Sequence, residues 1–250
     1  MYKIKICGIT TADDALLAAE AGADAIGLNF YDQSPRFVHA DQAAEIVERL
    51  REDYSAEQVQ VFGVFVNASL DDILWTIREA NLYGPEQGFG IQLHGDEPPE
   101  LLRDLHQQGL GRAGELLQVL GHVPEVPVVR ALRCKGADLA AHTRYLQQCQ
   151  QLGALPQAVL LDAFAPSSYG GTGAVLDWHS VGSARSALSN LPIVLAGGLT
   201  PANVAEAITA ARPDAVDVAS GVESAPGIKD AAQVYAFAAH AKLAFAALDK

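Results

Sequence analysis

A cysteine and an aspartate each close a short apolar segment of this chain, and both residues could move protons. Cys7 ends KIKIC and Asp162 ends AVLLD. A thiolate favoured by nearby positive charge can act as a general base or nucleophile, and a buried carboxyl group that keeps its proton can act as a general acid. Each residue also has a structural interpretation, since Cys7 could be a small core residue and Asp162 could cap or brace a loop.

Two glycine-bearing turns nearer the C-terminus could hold an anion. AGGLT spans residues 196–200 and ASGVE spans residues 219–223, and each leads towards a segment of helical character. Glycines let backbone N–H groups converge on an anion, and a helix N-terminus adds donors and the positive end of its dipole. Either turn could merely be tight, but the two together favour a phosphate site. We expect its residues to be Gly197, Gly198, Ser220 and Gly221.

Three further polar residues lie at or beyond the ends of apolar segments, and a fourth lies within the eighth segment. Arg36 could hold a carboxylate with its planar guanidinium, or it could be a solvated loop residue. His94 has no partner at metal-ligand spacing, so we expect a satisfied or substrate-facing histidine and no metal site. Gln92 and His94 are expected to line the floor of a pocket, and Asp217 is expected to brace the loop after the eighth segment.

Short apolar segments alternate with longer segments of helical period, which predicts eight strand-then-helix units. The apolar segments are mostly continuous, as expected for parallel strands buried on both faces. Helices are predicted to open at Thr10 or Thr11 and near Ser69, and Thr200 with Pro201 is predicted to open the helix after the seventh strand. The predicted strands are residues 3–7, 23–28, 58–66, 88–93, 127–132, 158–162, 192–196 and 214–219.

Units of this number and length close most naturally into an α/β fold, a single (β/α)8 TIM barrel over residues 1–250. An open doubly wound sheet is the alternative, but no GxGxxG follows the first strand. The active site of such a barrel lies at the C-terminal ends of its strands, where the candidate residues fall. Residues 107–125 are the least regular and are expected to be an extra helical turn or an insertion. The glycines of YGGTG, residues 169–173, would allow a hinged lid.

Composition excludes several classes of partner. The 250 residues carry 17 Lys and Arg against 30 Asp and Glu, a formal net charge of −13. This balance argues against a nucleic-acid partner and an anionic membrane surface, since both are bound by positive charge. A small anionic ligand would need local donors against the overall field. The three cysteines show no CxxC spacing, so neither a disulfide framework nor a zinc site is expected. Without a secretory signal or about 18 uninterrupted apolar residues, we expect a soluble cytoplasmic protein.

Characteristic segments occur along nearly the whole chain. They are KIKICGIT, GLNFYDQSPRFV, VFGVFVN, IQLHGDE, LLDAF with YGGTG, PIVLAGGLTPANV and VDVASGVESAPGIKD. In their order and combination they resemble the phosphoribosylanthranilate isomerase family of the tryptophan pathway. The combination of CGIT, SPR, QLHG and SGVE is specific to it. Residues 107–155 resemble the family least and the spacer 83–88 looks slightly long, which leaves loop geometry and oligomeric state open.

The resemblance implies a (β/α)8 barrel that needs no cofactor. It implies conversion of N-(5-phosphoribosyl)anthranilate to 1-(2-carboxyphenylamino)-1-deoxyribulose 5-phosphate, an Amadori rearrangement. Within that reaction it implies Cys7 as general base, Asp162 as general acid, Arg36 at the anthranilate end and the AGGL and SGVE turns at the phosphate. The expected partner is then a small anionic phosphosugar, and the chain is expected to be a monomer or a homodimer.

Two alternatives stay open at this point. The histidine-pathway isomerase performs similar chemistry on the same kind of barrel, but its pattern carries an aspartate where Cys7 stands. A non-catalytic phosphate-ligand binding protein or scaffold subunit would keep the glycine turns and would need no pairing of Cys7 with Asp162.

Overall fold

The computed structural model describes residues 1–82, 88–109, 126–134, 140–163, 178–183 and 185–248. The spacer 83–88 and the irregular segment 107–125 therefore lie mostly outside the described residues, and the hinge glycines of 169–173 lie wholly outside them. Just before the second gap, Leu105–Gly109 forms a π-helical turn that continues the preceding helix.

Eight parallel strands in the described part of the chain close into one barrel, with neighbours in chain order and the last strand paired to the first. This confirms the predicted TIM barrel, and every predicted strand overlaps an observed one. The strands are β1 Ile4–Cys7, β2 Ala25–Asn29, β3 Gln60–Phe65, β4 Phe89–Leu93, β5 Val128–Cys134, β6 Ala158–Ala163, β7 Ile193–Leu195 and β8 Ala215–Val218.

Two of the helices begin where the side chain of a capping residue accepts from a backbone N–H group. The Oγ1 atom of Thr11 accepts a hydrogen bond from the Asp14 N–H at 3.1 Å, and Ser69 caps its helix in the same way through Asp72. These two predicted helix starts are confirmed. The α-helices in the described residues are Ala12–Ala21, Ala40–Asp53, Leu70–Glu79, Pro99–Asp104, Ala140–Gln151, Trp178–Ser183, Val204–Ala211 and Ala231–Leu248.

The prediction that Thr200 and Pro201 open the helix after β7 is wrong. The helix begins at Val204, with Asn203 at the N-cap position. The Asn203 side chain accepts from the Thr200 N–H at 2.7 Å and donates to the Gly198 carbonyl at 2.9 Å, which folds the intervening residues into a turn. Asparagine side chains favour such local bonds to the backbone, and here they hold the chain out of the helix.

The loop after β8 also differs from the expectation that ASGVE leads towards a segment of helical character. A 3-10 turn covers Ser220–Val222, and the chain then forms a short antiparallel hairpin from β9 Glu223–Ala225 and β10 Ile228–Lys229. The hairpin contacts the first loop of the barrel, since the Oγ1 atom of Thr10 donates to the Gly227 carbonyl at 2.6 Å. It therefore joins the last strand of the barrel to the first.

Alternation along the strands sorts the side chains into a core inside the barrel and a second core under the helices. In β1, Ile4 and Ile6 belong to the outer core. Lys5 and Cys7 point inward, since both approach the inner side of Gly27 on β2. Because of this alternation, the Cys7 sulfur lies inside the barrel at its C-terminal end. The inner core contains Tyr2, Ala25, Phe62, Val129, Ala131, Ala158, Leu160, Val194, Ala196 and Ala215.

The helix Ala231–Leu248 is long and apolar enough, by length and composition alone, to cross a membrane. In this fold it packs against the helices Ala12–Ala21 and Val204–Ala211. Its buried residues include Val234, Phe237 and Phe245. Packing on the barrel therefore accounts for the apolar residues on the buried side of this helix.

Candidate active site

A cleft opens at the C-terminal ends of the strands. Residues from β1, β4, β6, the loop after β2 and the turns after β7 and β8 meet in it. The cleft thus brings together every residue that the sequence singled out for chemistry or substrate binding. These lining residues are Cys7, Arg36, Gln92, His94, Asp162, Gly197, Gly198, Ser220 and Gly221.

Cys7 ends β1 and is buried at the wall of the cleft. Its sulfur takes the space that a side chain on the paired residue Gly27 would need: a Cβ there would lie 2.6 Å from Sγ and 3.1 Å from the Lys5 Nζ. Burial raises the pKa of the Cys7 thiol above its ordinary value. The ammonium groups of Lys5 and Lys229 act in the opposite direction.

Lys5 lies inside the barrel and forms an ion pair across the β1–β8 seam. It is fully buried, and its Nζ donates to the Asp217 Oδ1 at 3.0 Å. Burial opposes its charge, but Asp217, Cys7 and Tyr2 more than offset burial, so the pKa of Lys5 is raised and the ammonium form persists. Asp217 therefore neutralises a buried lysine. Our expectation that it braces the strand-eight loop is wrong, because its position in β8 faces the barrel interior opposite Lys5.

Asp162 is held by two hydrogen bonds in series from the end of β4. The Gln92 Nε2 lies 2.9 Å from the His94 Nδ1, and the His94 Nε2 lies 3.1 Å from the Asp162 Oδ2. Because an amide nitrogen can only donate, a neutral His94 ring carries its proton on Nε2 and donates to Asp162. No donor among the described residues reaches Oδ1. One carboxyl oxygen is fixed by His94, and the other is left for a ligand.

A second buried network supports the loop that carries His94. The Arg130 Nη1 lies 3.0 Å from the Glu97 Oε2, and the Arg130 Nη2 donates to the Gly95 carbonyl at 3.1 Å. Glu97 also accepts from the backbone N–H of Asn67 at 2.8 Å, so it ties the loop after β3 to the loop after β4. Paired and hydrogen-bonded in this way, the two charges can be buried and hold His94 in place.

Arg36 reaches the cleft from the loop after β2 and meets a carboxylate from β9. Its Nε and Nη2 donate to the two oxygens of Glu223 at 2.8 and 2.7 Å, a bidentate geometry. The Lys229 Nζ donates to the same carboxylate at 2.8 Å. Hydrogen bonding to Arg36 and the charge of Lys229 outweigh burial and keep the pKa of Glu223 below its ordinary value.

The two glycine turns line the cleft after β7 and β8, the two strands that lie between β6 and β1 in the barrel. Gly197 and Gly198 have φ angles of 80° and 66°, the left-handed conformation in which consecutive N–H groups can point to one side. Gly221 packs directly beneath the Leu199 carbonyl, where a Cβ would collide with the oxygen. The regular helix starts only at Val204, so the donors available to an anion are those of the turns themselves.

Four contributors were missed by the sequence reasoning, which assigned no role to Lys5, Glu97, Glu223 or Lys229. Lys5 carried a usable signal, because a lysine at an inward position of a buried strand needs a counter-charge. The partnership of Glu223 with Arg36 joins residues 187 positions apart and had no local signal. Among the described residues, no group of three or more His, Cys, Asp or Glu is arranged to hold a metal ion.

The comparison with protein families decides which proteins this cleft belongs with. Residues 4–240 match the family model of N-(5′-phosphoribosyl)anthranilate isomerase. The chain belongs to the N-(5′-phosphoribosyl)anthranilate isomerase family. It is 44% identical over 240 residues to the isomerase of Myxococcus xanthus, covering 96% of each chain. It is also 44% identical over 243 residues to that of Trichlorobacter lovleyi, covering 97% of this chain and 98% of the relative.

Solved isomerase structures share the barrel. The crystal structure of the Thermotoga maritima isomerase matches with a TM-score of 0.75 and 33% identity, covering 97% of this chain and 99% of the other. An isomerase crystallised with reduced 1-(o-carboxyphenylamino)-1-deoxyribulose 5-phosphate matches with a TM-score of 0.69 and 32% identity, over the same shares. Monomers generated from the dimeric Thermotoga maritima isomerase match with a TM-score of 0.70 and 31% identity, again over the same shares.

Proposed function

We propose that this chain converts N-(5-phosphoribosyl)anthranilate to 1-(2-carboxyphenylamino)-1-deoxyribulose 5-phosphate, an aldose–ketose type isomerisation in tryptophan biosynthesis. The observation that carries the proposal is the shared cleft of Cys7 and Asp162, which come from β1 and β6. A base and an acid on different sides of one small sugar are what the rearrangement requires. A phosphate-binding protein without activity would need neither.

Asp162 is the general acid that opens the ribose ring. Breaking the bond between C1 and the ring oxygen needs a proton on that oxygen, and a carboxylic acid can supply it. The bond from His94 to Oδ2 supports this role, because it leaves Oδ1 as the oxygen that carries the proton towards the sugar. Gln92 orients His94 in turn, and its own amide oxygen finds no partner among the described residues, which suits a substrate hydroxyl.

Cys7 is the general base of the second step. The ring-opened substrate is a protonated imine, which acidifies the hydrogen on the adjacent ribose carbon. The Cys7 thiolate removes this proton, and the resulting enamine tautomerises to the amino-ketone. Lys5 supports the thiolate with a fixed positive charge next to the sulfur, since an opposite charge favours the ionised form.

The two ends of the substrate carry negative charge, and the chain as a whole is anionic. Local donors must therefore hold both ends. We assign the phosphate to Gly197, Gly198, Ser220 and Gly221, and the carboxylate of the anthranilate ring to Arg36. Held at both ends, the reacting atoms lie between acid and base, which lowers the entropic part of the barrier.

Turnover of the purified protein tests this proposal. We expect isomerisation of N-(5-phosphoribosyl)anthranilate and growth rescue of a tryptophan auxotroph that lacks this step. The histidine-pathway aldose substrate, assayed side by side, should turn over far more slowly, because the pattern of the enzymes that use it carries an aspartate where Cys7 stands. Tight binding of the reduced product without turnover would instead support the non-catalytic binding protein.

Opposite changes in the pH profile are expected when the charges next to Cys7 are removed one at a time. Lys5→Met removes the charge that favours the thiolate, so the rise of kcat/KM with pH should move to higher pH, with a roughly tenfold loss at neutral pH and recovery in base. Asp217→Asn removes a charge that disfavours the thiolate, so the same rise should move to lower pH. Exposed Lys3 provides the matched control Lys3→Met. Shifts of both variants in one direction would contradict the role of Lys5.

The remaining expectations concern the whole chain. We propose that residues 1–250 form one (β/α)8 domain and that the protein is cytoplasmic. We propose a monomer or a homodimer, and light scattering of the purified protein distinguishes the two.

A further inference from the structure

The geometry points to Glu223 as a positioning residue that orients Arg36 for the carboxylate of the substrate, with Lys229 fixing Glu223 to the strand that carries Cys7. This inference rests on the proposed function and names the residues that set its preference for a carboxylate-bearing substrate. We refer to Arg36, Glu223 and Lys229 together as the hairpin clamp.

Lys229 holds neighbouring protein groups together and does not bind the substrate. Its side chain is fully buried. An ammonium group has three hydrogens, and three acceptors surround this one: the Cys7 carbonyl at 2.7 Å, the Glu223 Oε1 at 2.8 Å and the Ala219 carbonyl at 3.3 Å. These acceptors lie at the end of β1, on β9 and just after β8. With its donors used, Lys229 holds Glu223 at a fixed distance from the backbone of the base.

Arg36 keeps donors to spare. Glu223 takes Nε and one hydrogen of Nη2, and a guanidinium has five N–H groups. Among the described residues nothing else accepts from the Arg36 side chain, so three N–H groups are left for a ligand in the cleft that it lines. A guanidinium held along one edge presents its other edge in a fixed plane, which is the arrangement a carboxylate needs.

The charges of the hairpin clamp also favour an anion. Arg36 and Glu223 alone would be neutral, and a carboxylate next to the site would repel the substrate. Lys229, which also pairs with Glu223, restores a net charge of +1. Gly8, the residue after Cys7, leaves space for the aliphatic part of Arg36, where a Cβ would collide with Cδ. The residue next to the base therefore forms part of the surface on which Arg36 rests.

A comparison of two substrates tests the inference. The second substrate is the aniline analogue, N-(5-phosphoribosyl)aniline, which lacks only the carboxylate. In Glu223→Gln we expect KM for the anthranilate substrate to rise about tenfold or more, as for a lost hydrogen bond to a charged group. KM for the aniline analogue should change less than about threefold, because that analogue makes no carboxylate contact. The exposed Glu206 supplies the control Glu206→Gln, which should alter neither value.

Two further variants separate positioning from folding. In an Arg36→Met background, Glu223→Gln should cause no further loss of preference for the carboxylate-bearing substrate, because Glu223 acts only through Arg36. Glu223→Asp keeps the charge and should retain part of the preference. Equal KM increases for both substrates would reduce Glu223 to a structural role, and a lower KM for the anthranilate substrate would show that Glu223 competes with it. Either result overturns the inference, whereas failure of wild-type turnover would overturn the proposed function itself.

Discussion

Replacing Cys7 with serine is expected to lower kcat for the isomerisation by about two to four orders of magnitude, the range that a positioned general base contributes. The hydroxyl fits the same space beside Gly27, but at neutral pH it keeps its proton and cannot remove one from the ribose carbon. Substrate contacts at the phosphate and at Arg36 are unchanged. KM should therefore stay within about threefold of the wild-type value.

Steady-state kinetics of Cys7→Ser and of a matched cysteine variant measure this effect. Cys149 is a second buried thiol on the helix Ala140–Gln151, outside the barrel. Cys149→Ser should lower the thermal midpoint slightly and leave kcat unchanged. The Cys7→Ser variant should also lose the rise of kcat with pH that thiol ionisation produces. Retention of near-wild-type kcat in Cys7→Ser would remove the sulfur from the mechanism.

The barrel was predictable from the sequence because its determinants are local. Most of the strands are nearly continuous apolar segments, and the capping residues Thr11 and Ser69 act within a few positions of themselves. The predicted start of the helix after β7 was wrong for a physical reason. Thr200 followed by Pro201 has the chemistry of a helix start, but the Asn203 side chain binds the backbone of the turn, so the helix begins only at Val204. Two local signals competed, and only the structure decides between them.

The sequence predicted which residues line the candidate site, but it did not predict which partners those residues contact. The rule that barrel chemistry lies at the C-terminal strand ends selected Cys7 and Asp162, because position along a strand can be read from the sequence. The partners of these residues could not be read in this way. Lys5 meets Asp217 across 212 positions, and His94 meets Asp162 across 68. Such contacts depend on barrel closure and on the stagger between strands, which a single sequence does not encode locally.

The second large effect is expected from Asp162→Asn, which should lower kcat by about two to four orders of magnitude. The amide has nearly the shape of the carboxyl group, and its oxygen can still accept the hydrogen bond from the His94 Nε2. What it loses is the proton for the ring oxygen of the ribose. Ring opening then has to rely on water, which lacks the position and acidity of the carboxylic acid.

Binding of the reduced product distinguishes a lost acid from a damaged cleft. That compound already has an open chain, so its affinity does not depend on proton transfer to a ring oxygen. Its Kd for Asp162→Asn should stay within about threefold of wild type while kcat falls, the separation expected for a group that acts only in the transition state. The exposed Asp71 offers the control Asp71→Asn, which should change neither quantity. If Kd and kcat deteriorate together, Asp162 holds the ligand or the fold instead of donating a proton, and the acid must be sought elsewhere in the cleft.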